Sequence, residues 1–146
     1  MTVDLEYIRQ LNDSIAFGCE RISALRSRAT SLAIHYDNTG ASHPQPQNKL
    51  EVIFSMIDDE ERRVNRLIDK RYELKMRAVR VIQHSDLPIE ARHILYLRYL
   101  SADPVYHRNL DWRRVEYFVN KYHNIQKRRI YQLHHDAVQV IKHHNM

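Results

Sequence analysis

The residues with the clearest chemical potential in this sequence form the polar and basic run QKRR at positions 126–129. Arginine presents a planar fork of N–H groups that matches a phosphate or the edge of guanine, and lysine supplies a point charge. The run opens a predicted helix, where cations oppose the helix dipole and a bound anion relieves that cost. We therefore expect an anion-binding surface formed by Gln126, Lys127, Arg128 and Arg129. An exposed polar helix face without a ligand is the alternative interpretation.

The distribution of charge along the chain agrees with this assignment. The formal net charge is +5. Residues 87–146 hold 10 basic and 5 acidic side chains, together with 7 of the 10 histidines. Residues 1–48 hold 4 basic and 5 acidic side chains, and residues 49–86 hold 9 and 8. This division favours assembly in the first part of the chain and binding of an anionic partner in the last.

Metal, cofactor and catalytic chemistry have little support in the sequence. His134 and His135 are adjacent, so they point in different directions on a helix. No pair of histidines has the i, i+4 spacing with a carboxylate partner that a helical zinc site needs. The chain has neither a Gly-rich phosphate loop nor a nucleophile elbow. We expect no metal, no cofactor and no enzymatic activity.

Cysteine content and hydropathy bear on the compartment. The single cysteine, Cys19, excludes an intramolecular disulfide and is typical of a reducing cytoplasm. No apolar run approaches the roughly 20 residues of a membrane span, and the N-terminus lacks the apolar core of a signal peptide. We expect a cytoplasmic protein that does not cross a membrane.

The composition predicts an all-α fold. The chain is 43% hydrophobic and 28% charged. It has only 2 glycines and 4 prolines, too few for the many tight turns that connect strands. Two long segments carry apolar residues at alternating steps of three and four, typical of a coiled-coil-like seam. The first stripe comprises Ile8, Leu11, Ile15, Ile22, Leu25, Ala29 and Leu32. The second comprises Leu50, Ile53, Ile57, Val64, Leu67, Leu74, Ala78 and Val81.

Neither long helix can bury its stripe alone, so the two must pair. The simplest closure is an antiparallel helical hairpin within one chain, and a dimeric bundle would use the same stripes. We expect residues 35–47 to form a flexible connector and Asn48 to cap the second helix. Glu60 and Arg71 occupy polar positions on the seam. Each either extends to a solvated edge or sets the register of the pair.

The remainder of the chain predicts three shorter helices. Residues 85–88 mark a helix stop and restart, in which Asp86 can cap the next helix and Pro88 is placed in its first turn, and residues 91–100 are helical. After a loop at 101–110, Asp111 caps a helix over 112–122 that buries Trp112, Val115, Phe118 and Val119. A turn near His123 and Asn124 leads to a last helix over 125–144. Its core stripe is Ile130, Leu133, Ala137, Val140 and Ile141.

Three short helices with a basic cluster opening the last one are the layout of a helix-turn-helix, whose second helix presents its first residues to DNA bases. The sequence therefore predicts two domains. Residues 1–86 form the helical hairpin, for oligomerisation or partner contact, and residues 87–146 form a small helix-turn-helix domain that binds DNA.

Three segments carry a resemblance to a known family. They are IEARHILYLRYL at 89–100, Asp111-Trp112 at the start of a helix, and RRIYQLHHDAVQVI at 128–141. Together they resemble region 4 of bacterial sigma factors, and more closely the phage-encoded late-transcription regulators of the ArpU and RinA type. In those regulators a long N-terminal helical segment precedes a sigma-region-4-like helix-turn-helix. The resemblance implies a regulator, most simply an activator of phage or prophage late genes, that binds double-stranded DNA.

The resemblance also assigns residues. It carries DNA contact over to Arg128, Arg129 and Tyr131, to Gln126, Lys127 and His134, and to Arg113 and Arg114, the last two as phosphate contacts. For His134 a packing role is the alternative. The predicted partners are double-stranded DNA, host RNA polymerase and a second copy of the chain through the N-terminal helices. The rival function is an interaction protein that docks on RNA polymerase or a host factor with little DNA contact of its own.

Overall fold

A computed structural model describes residues 3–39, 44–103 and 105–144, with side chains over 3–35, 48–103 and 105–144. Within these ranges every regular element is helical and there is no strand, as the composition predicts. The helices are α1 (Leu5–Thr39), α2 (Pro44–His84), α3 (Ile89–Leu95), α4 (Trp112–His123) and α5 (Lys127–His144). A π-helical turn, Tyr96–Leu100, continues directly from α3.

The chain divides into two compact units. The first, the two-helix unit, is Ser14–Ile68, and the second, the multi-helix unit, joins Met1–Asp13 to Asp69–Met146. The predicted boundary at residue 86 therefore differs from the division that the contacts make. The physical reason is that the start of α1 and the end of α2 share a hydrophobic core with α3, α4 and α5.

The core of the two-helix unit comes from the predicted stripes. Buried side chains of α1 and α2 form one cluster: Ile15, Ile22, Leu25, Ala29, Ile53, Ile57 and Val64. Gly18 interrupts the stripe of α1 because the helices approach closely there. A Cβ at this position would lie 2.4 Å from Cγ2 of Val64. On the surface of the unit, Arg26 forms an ion pair with Glu61.

The multi-helix unit has the larger core. α1 and α2 contribute Val3, Leu5, Ile8, Ala78, Val81 and Ile82. The three C-terminal helices with the π-helical turn contribute Ala91, Ile94, Leu95, Tyr99, Val115, Val119, Ile130, Leu133, Ala137 and Ile141. Trp112 and Phe118 are half-buried rather than buried. The prediction for Val140 is wrong: its side chain is exposed, since the buried face of α5 is centred on Ala137 and Ile141.

The predicted connector is wrong over most of its length. α1 continues to Thr39 and α2 begins at Pro44, so the described helices enter the range 35–47 from both sides. Asn48 consequently lies inside α2 and does not cap it. Pro44 and Pro46 both fall in the first turn, where a backbone N–H has no helical partner to lose. The prolines therefore open this helix and do not interrupt it.

The restart before α3 is confirmed at slightly shifted positions. α2 ends at His84, and Pro88 occupies the N-cap position of α3 without a side-chain hydrogen bond. Asp86 lies two residues too early to cap, and Pro88 lies one residue before the helical turn that was predicted to contain it. The N–H of Arg92 closes the first turn by donating to the carbonyl oxygen of Pro88, at 3.1 Å.

A buried polar network holds the loop that follows the π-helical turn. Asn12 is fully buried, and its Nδ2 donates to Oδ1 of Asn109 at 2.8 Å. Arg71 donates to Oδ1 of Asn12 at 3.1 Å and lies 3.1 Å from Nδ1 of His107. Arg71 therefore bonds to a side chain of α1 and does not extend to a solvated edge, while its effect on register stays a prediction. Glu60, in the other polar position, accepts from Arg63 of its own helix.

Candidate nucleic-acid interface

Local sequence signals build the α4–turn–α5 segment. Asp111 caps α4, accepting a hydrogen bond from the backbone N–H of Arg114 at 2.9 Å, as predicted. Asn124 ends α4 in the left-handed conformation, with φ 53° and ψ 50°, and its N–H donates to the carbonyl oxygen of Asn120. Asparagine tolerates this conformation better than most residues, so the turn needs no glycine. The N–H of Ile130 then closes the first turn of α5 on the carbonyl oxygen of Gln126.

The predicted basic run lies at the start of α5 and is exposed. Gln126, Lys127, Arg128 and Arg129 all present their side chains to solvent. The first turn of α5 contains no acidic residue, so three consecutive cations face the positive end of the helix dipole. The described contacts of Arg129 include a 3.2 Å hydrogen bond from Nη1 to Oε1 of Gln132. This end of α5 therefore concentrates positive charge.

The two phosphate candidates on α4 are exposed but lie on different surfaces. Arg113 lines a shallow groove of about 430 Å³ between α4 and α5, together with Lys127. Arg114 lines a separate pocket of about 480 Å³ that is formed with the loop before α4, including Tyr106 and Arg108. The structure thus brings Arg113 together with Lys127 of the basic run and places Arg114 with the loop.

Polar side chains of α4 that sequence reasoning missed also line the α4–α5 groove, among them Glu116, which is described below. Tyr117, Asn120 and Lys121 face it from α4. The sequence contained the signal, because positions 113, 117 and 121 recur every four residues and so share one face of a helix. With Lys121 the groove gains a third cation beside Arg113 and Lys127.

Tyr131 is held at both ends of its side chain. Its ring lies 4.7 Å from the ring of Trp112, and its hydroxyl donates to Oε1 of Glu116. The same carboxylate oxygen lies 3.9 Å from Nζ of Lys127. The hydrogen bond to Glu116 is the largest cause that raises the pKa of Tyr131 above its usual value, with burial adding to it. The ring edge of Tyr131 remains partly exposed beside the basic run.

His134 occupies the packing role that was the alternative to DNA contact. Its Nε2 lies 2.8 Å from the hydroxyl of Tyr99, and its ring meets the ring of Trp112 edge-on at 4.7 Å. Burial, followed by the nearby charge of Arg98, lowers the pKa of His134 to about 4. At neutral pH the ring is therefore uncharged.

Arg98 forms part of the same aromatic support. Its guanidinium carbon lies 4.4 Å from the centre of the Trp112 ring, an arrangement suited to a cation–π contact. Burial is the largest cause that lowers the pKa of Arg98 from its usual value. Because this cation stacks on Trp112, it serves the packing beneath Tyr131 and is not part of the exposed basic run.

Metal-ion sites and membrane spans have no support in the described residues. None of their His, Cys, Asp and Glu side chains form a group of three or more that could hold a metal ion. No helix in the same ranges combines the length and apolar character of a membrane span. Comparison with models of protein families, with curated proteins and with solved structures finds no match for this chain.

Proposed function

We propose that this protein regulates transcription by binding double-stranded DNA, with α4, the turn at Asn124 and α5 acting as a helix-turn-helix. The observation that carries the proposal is the exposed run from Gln126 to Arg129, which opens α5 directly after a tight turn. Behind it, α5 is anchored through Ile130, Leu133 and Ala137 in the core. A rigid helix that offers its basic first turn to solvent suits insertion into the major groove.

The side chains divide between base and phosphate contacts. Arg128, Arg129 and Gln126 have donors that can read base edges, since arginine pairs with guanine and glutamine with adenine. Lys127 and Arg113 flank them across the groove, where they suit phosphates on either side. Arg114 suits a phosphate further along the backbone, toward the loop. Tyr131 lies at the edge of this surface, and His134 supports it from beneath.

Electrostatics favours an anion at this position. Each cation near the N-terminus of a helix is disfavoured by roughly 0.3–1 kcal/mol when exposed. Three such cations lie at positions 127–129. Within the described residues only Lys127 among them faces an acidic side chain, that of Glu116. Phosphates would relieve the remaining repulsion and release counterions, which makes binding strongly dependent on salt.

The long helices are proposed to mediate assembly. Gly18 faces Val64 and Arg26 pairs with Glu61, so residues later in α1 meet residues earlier in α2. This order supports an antiparallel hairpin closed within one chain. We propose that the hairpin joins two copies of the protein or contacts RNA polymerase, and that the protein is a regulator of phage late genes, an activator and not an enzyme.

One observation favours the rival function, an interaction protein. The two-helix unit exposes the large apolar side chains of Phe17, Val52 and Phe54, each more than half accessible to solvent. Exposed aromatic and aliphatic side chains are common where a protein partner docks. If docking on RNA polymerase is the whole function, substitutions in the basic run leave DNA affinity unchanged and substitution of Phe54 abolishes capture of the polymerase.

The test begins with selection of binding sites from a pool of random duplexes. The affinity of the purified protein for the enriched duplex and for a scrambled duplex is then measured by fluorescence anisotropy at about 150 mM salt, where phosphate-only binding is weak. The variant Arg128→Ala/Arg129→Ala should lose preference for the enriched duplex. Its matched control is Arg28→Ala/Arg66→Ala, which removes two exposed cations from the two-helix unit. An unchanged preference in the first variant would overturn the proposal.

A further inference from the structure

An acidic side chain stands within the basic surface described above. Among the described residues that line the α4–α5 groove, Glu116 is the only carboxylate, beside Arg113, Lys121 and Lys127. A carboxylate at this position repels a phosphate backbone, so it lowers the affinity of the surface for any DNA. Its side chain is only 22% exposed. The side chain is thus turned toward the protein, and its contacts indicate what it does there.

Glu116 connects α4 to the first two turns of α5. One of its carboxylate oxygens accepts the hydrogen bond from the Tyr131 hydroxyl and faces the ammonium group of Lys127. Trp112 lies one turn before Glu116 on α4, and its ring packs against the ring of Tyr131. Lys127 and Tyr131 are themselves one turn apart on α5. Two positions of one helix therefore hold two positions of the other.

This arrangement adds to the core contacts of Ile130 and Leu133 in restraining the rotation of the first two turns of α5 about the helix axis. Arg128 and Arg129 lie between the two held positions, so the direction of their side chains follows that rotation. An arginine tip lies roughly 8 Å from the helix axis, and a turn of about 10° moves it by about 1.4 Å. A bidentate hydrogen bond to a base tolerates a displacement of about 0.5 Å. A small loss of rotational control would therefore remove base readout while leaving phosphate contacts in place.

We propose that Glu116 is a positioning residue for sequence readout: through Tyr131 it sets the orientation of Arg128 and Arg129, at the expense of general DNA affinity. The inference rests on the proposed function, since it concerns how the same surface chooses among sequences. Glu116 itself touches no base. Its carboxylate increases the discrimination between duplexes and lowers the affinity for every duplex.

Three variants separate this role from general stability. Tyr131→Phe removes the hydroxyl and keeps the ring on Trp112. Glu116→Ala removes the acceptor and the charge, whereas Glu116→Gln removes the charge and keeps an oxygen that can accept from Tyr131. The matched control, Asp136→Asn, removes an exposed carboxylate from α5 outside the groove. Near-ultraviolet circular dichroism checks that each variant is folded before binding is measured.

The readout is the ratio of affinities for the enriched and scrambled duplexes. Tyr131→Phe and Glu116→Ala should lower this ratio about tenfold, the loss of one well-formed base contact. Glu116→Ala should also bind the scrambled duplex more tightly than the wild type does. Glu116→Gln should keep most of the ratio, and Asp136→Asn all of it. Tyr99 and Tyr131 both have a raised pKa, so absorbance titration of the tyrosines should show that one of the two late-titrating groups disappears in Tyr131→Phe.

Failure of this inference differs from failure of the proposed function. If the wild type prefers the enriched duplex, and folded Tyr131→Phe and Glu116→Ala keep that preference, the positioning role is overturned while the DNA-binding function stands. A ratio as low in Glu116→Gln as in Glu116→Ala also overturns it, because the acceptor for Tyr131 is then irrelevant. If the wild type enriches no duplex at all, the proposed function fails and this inference fails with it.

Discussion

Acidification should destabilise this protein through His134 in particular. An unpaired histidine has a pKa of 6.5, and burial beside Arg98 lowers that of His134 to about 4. Between pH 6.5 and pH 4, His134 is therefore protonated in the unfolded chain and neutral in the folded protein. Stability conferred by the neutral ring is complete above pH 6.5 and is lost as the pH falls toward 4. The free energy of unfolding falls by at most about 1.4 kcal/mol per pH unit from this group, and by about 3 kcal/mol in full.

The assay is urea unfolding at pH 7.5, 5.5 and 4.5, compared between the wild type and His134→Gln. Trp112 is the single tryptophan and lies against the His134 ring, so its fluorescence reports on this part of the core. Glutamine has no titratable group but retains an oxygen that can accept from Tyr99. The wild type should lose about 1–3 kcal/mol more than the variant between pH 7.5 and pH 4.5.

Equal losses in the two proteins would refute the reasoning, because the other titrating groups are common to both. A second measurement guards against misfolding of the variant. In the wild type, the imidazole proton resonance of His134 should titrate with a midpoint near 4, as its pKa implies. A midpoint near 6.5 in the folded protein would contradict the burial of this ring.

Three further substitutions test the elements that position the proposed site, each by its effect on the free energy of unfolding. Gly18→Ala should cost about 1–3 kcal/mol, because the added Cβ would lie 2.4 Å from Cγ2 of Val64. Val64→Ala should then cost less stability in the Gly18→Ala variant than in the wild type. Equal costs in the two backgrounds would contradict the close approach of the helices. Asp111→Ala should cost about 1 kcal/mol by removing the cap on the N–H of Arg114, whereas Asp111→Ser should be almost neutral. Asn124→Ala should cost about 1 kcal/mol and Asn124→Gly much less, since only alanine resists the left-handed conformation; equal effects would argue against that turn.

Local signals in the sequence were sufficient to predict much of the fold. The stripes with steps of three and four predicted both long helices, and the aspartate before Trp112 predicted the start of α4. The connector predicted at residues 35–47, from the lack of apolar periodicity and from a glycine and two prolines, is wrong at Pro44, because proline is equally suited to the first turn of a helix.

Long-range packing could not be predicted from such signals. Asn12 is separated in sequence by 59 residues from Arg71 and by 97 from Asn109, its hydrogen-bonding partners, and no periodicity joins the three. The exposed basic run was predictable because it depends on residue type and on one helix start. The role of Glu116 was not, because a carboxylate on an amphipathic helix has the same pattern whether or not a tyrosine of the next helix donates to it.

The base-reading role of the start of α5 is tested most directly by measuring how much Arg128 contributes to sequence discrimination. The affinity of the wild type and of Arg128→Ala is measured for the enriched and scrambled duplexes at about 150 mM salt. We expect Arg128→Ala to lose about 1–3 kcal/mol of binding free energy for the enriched duplex, which relaxes the preference for it, while its affinity for the scrambled duplex changes little. Equal losses for both duplexes, or no loss for either, would contradict a base-reading role for the start of α5.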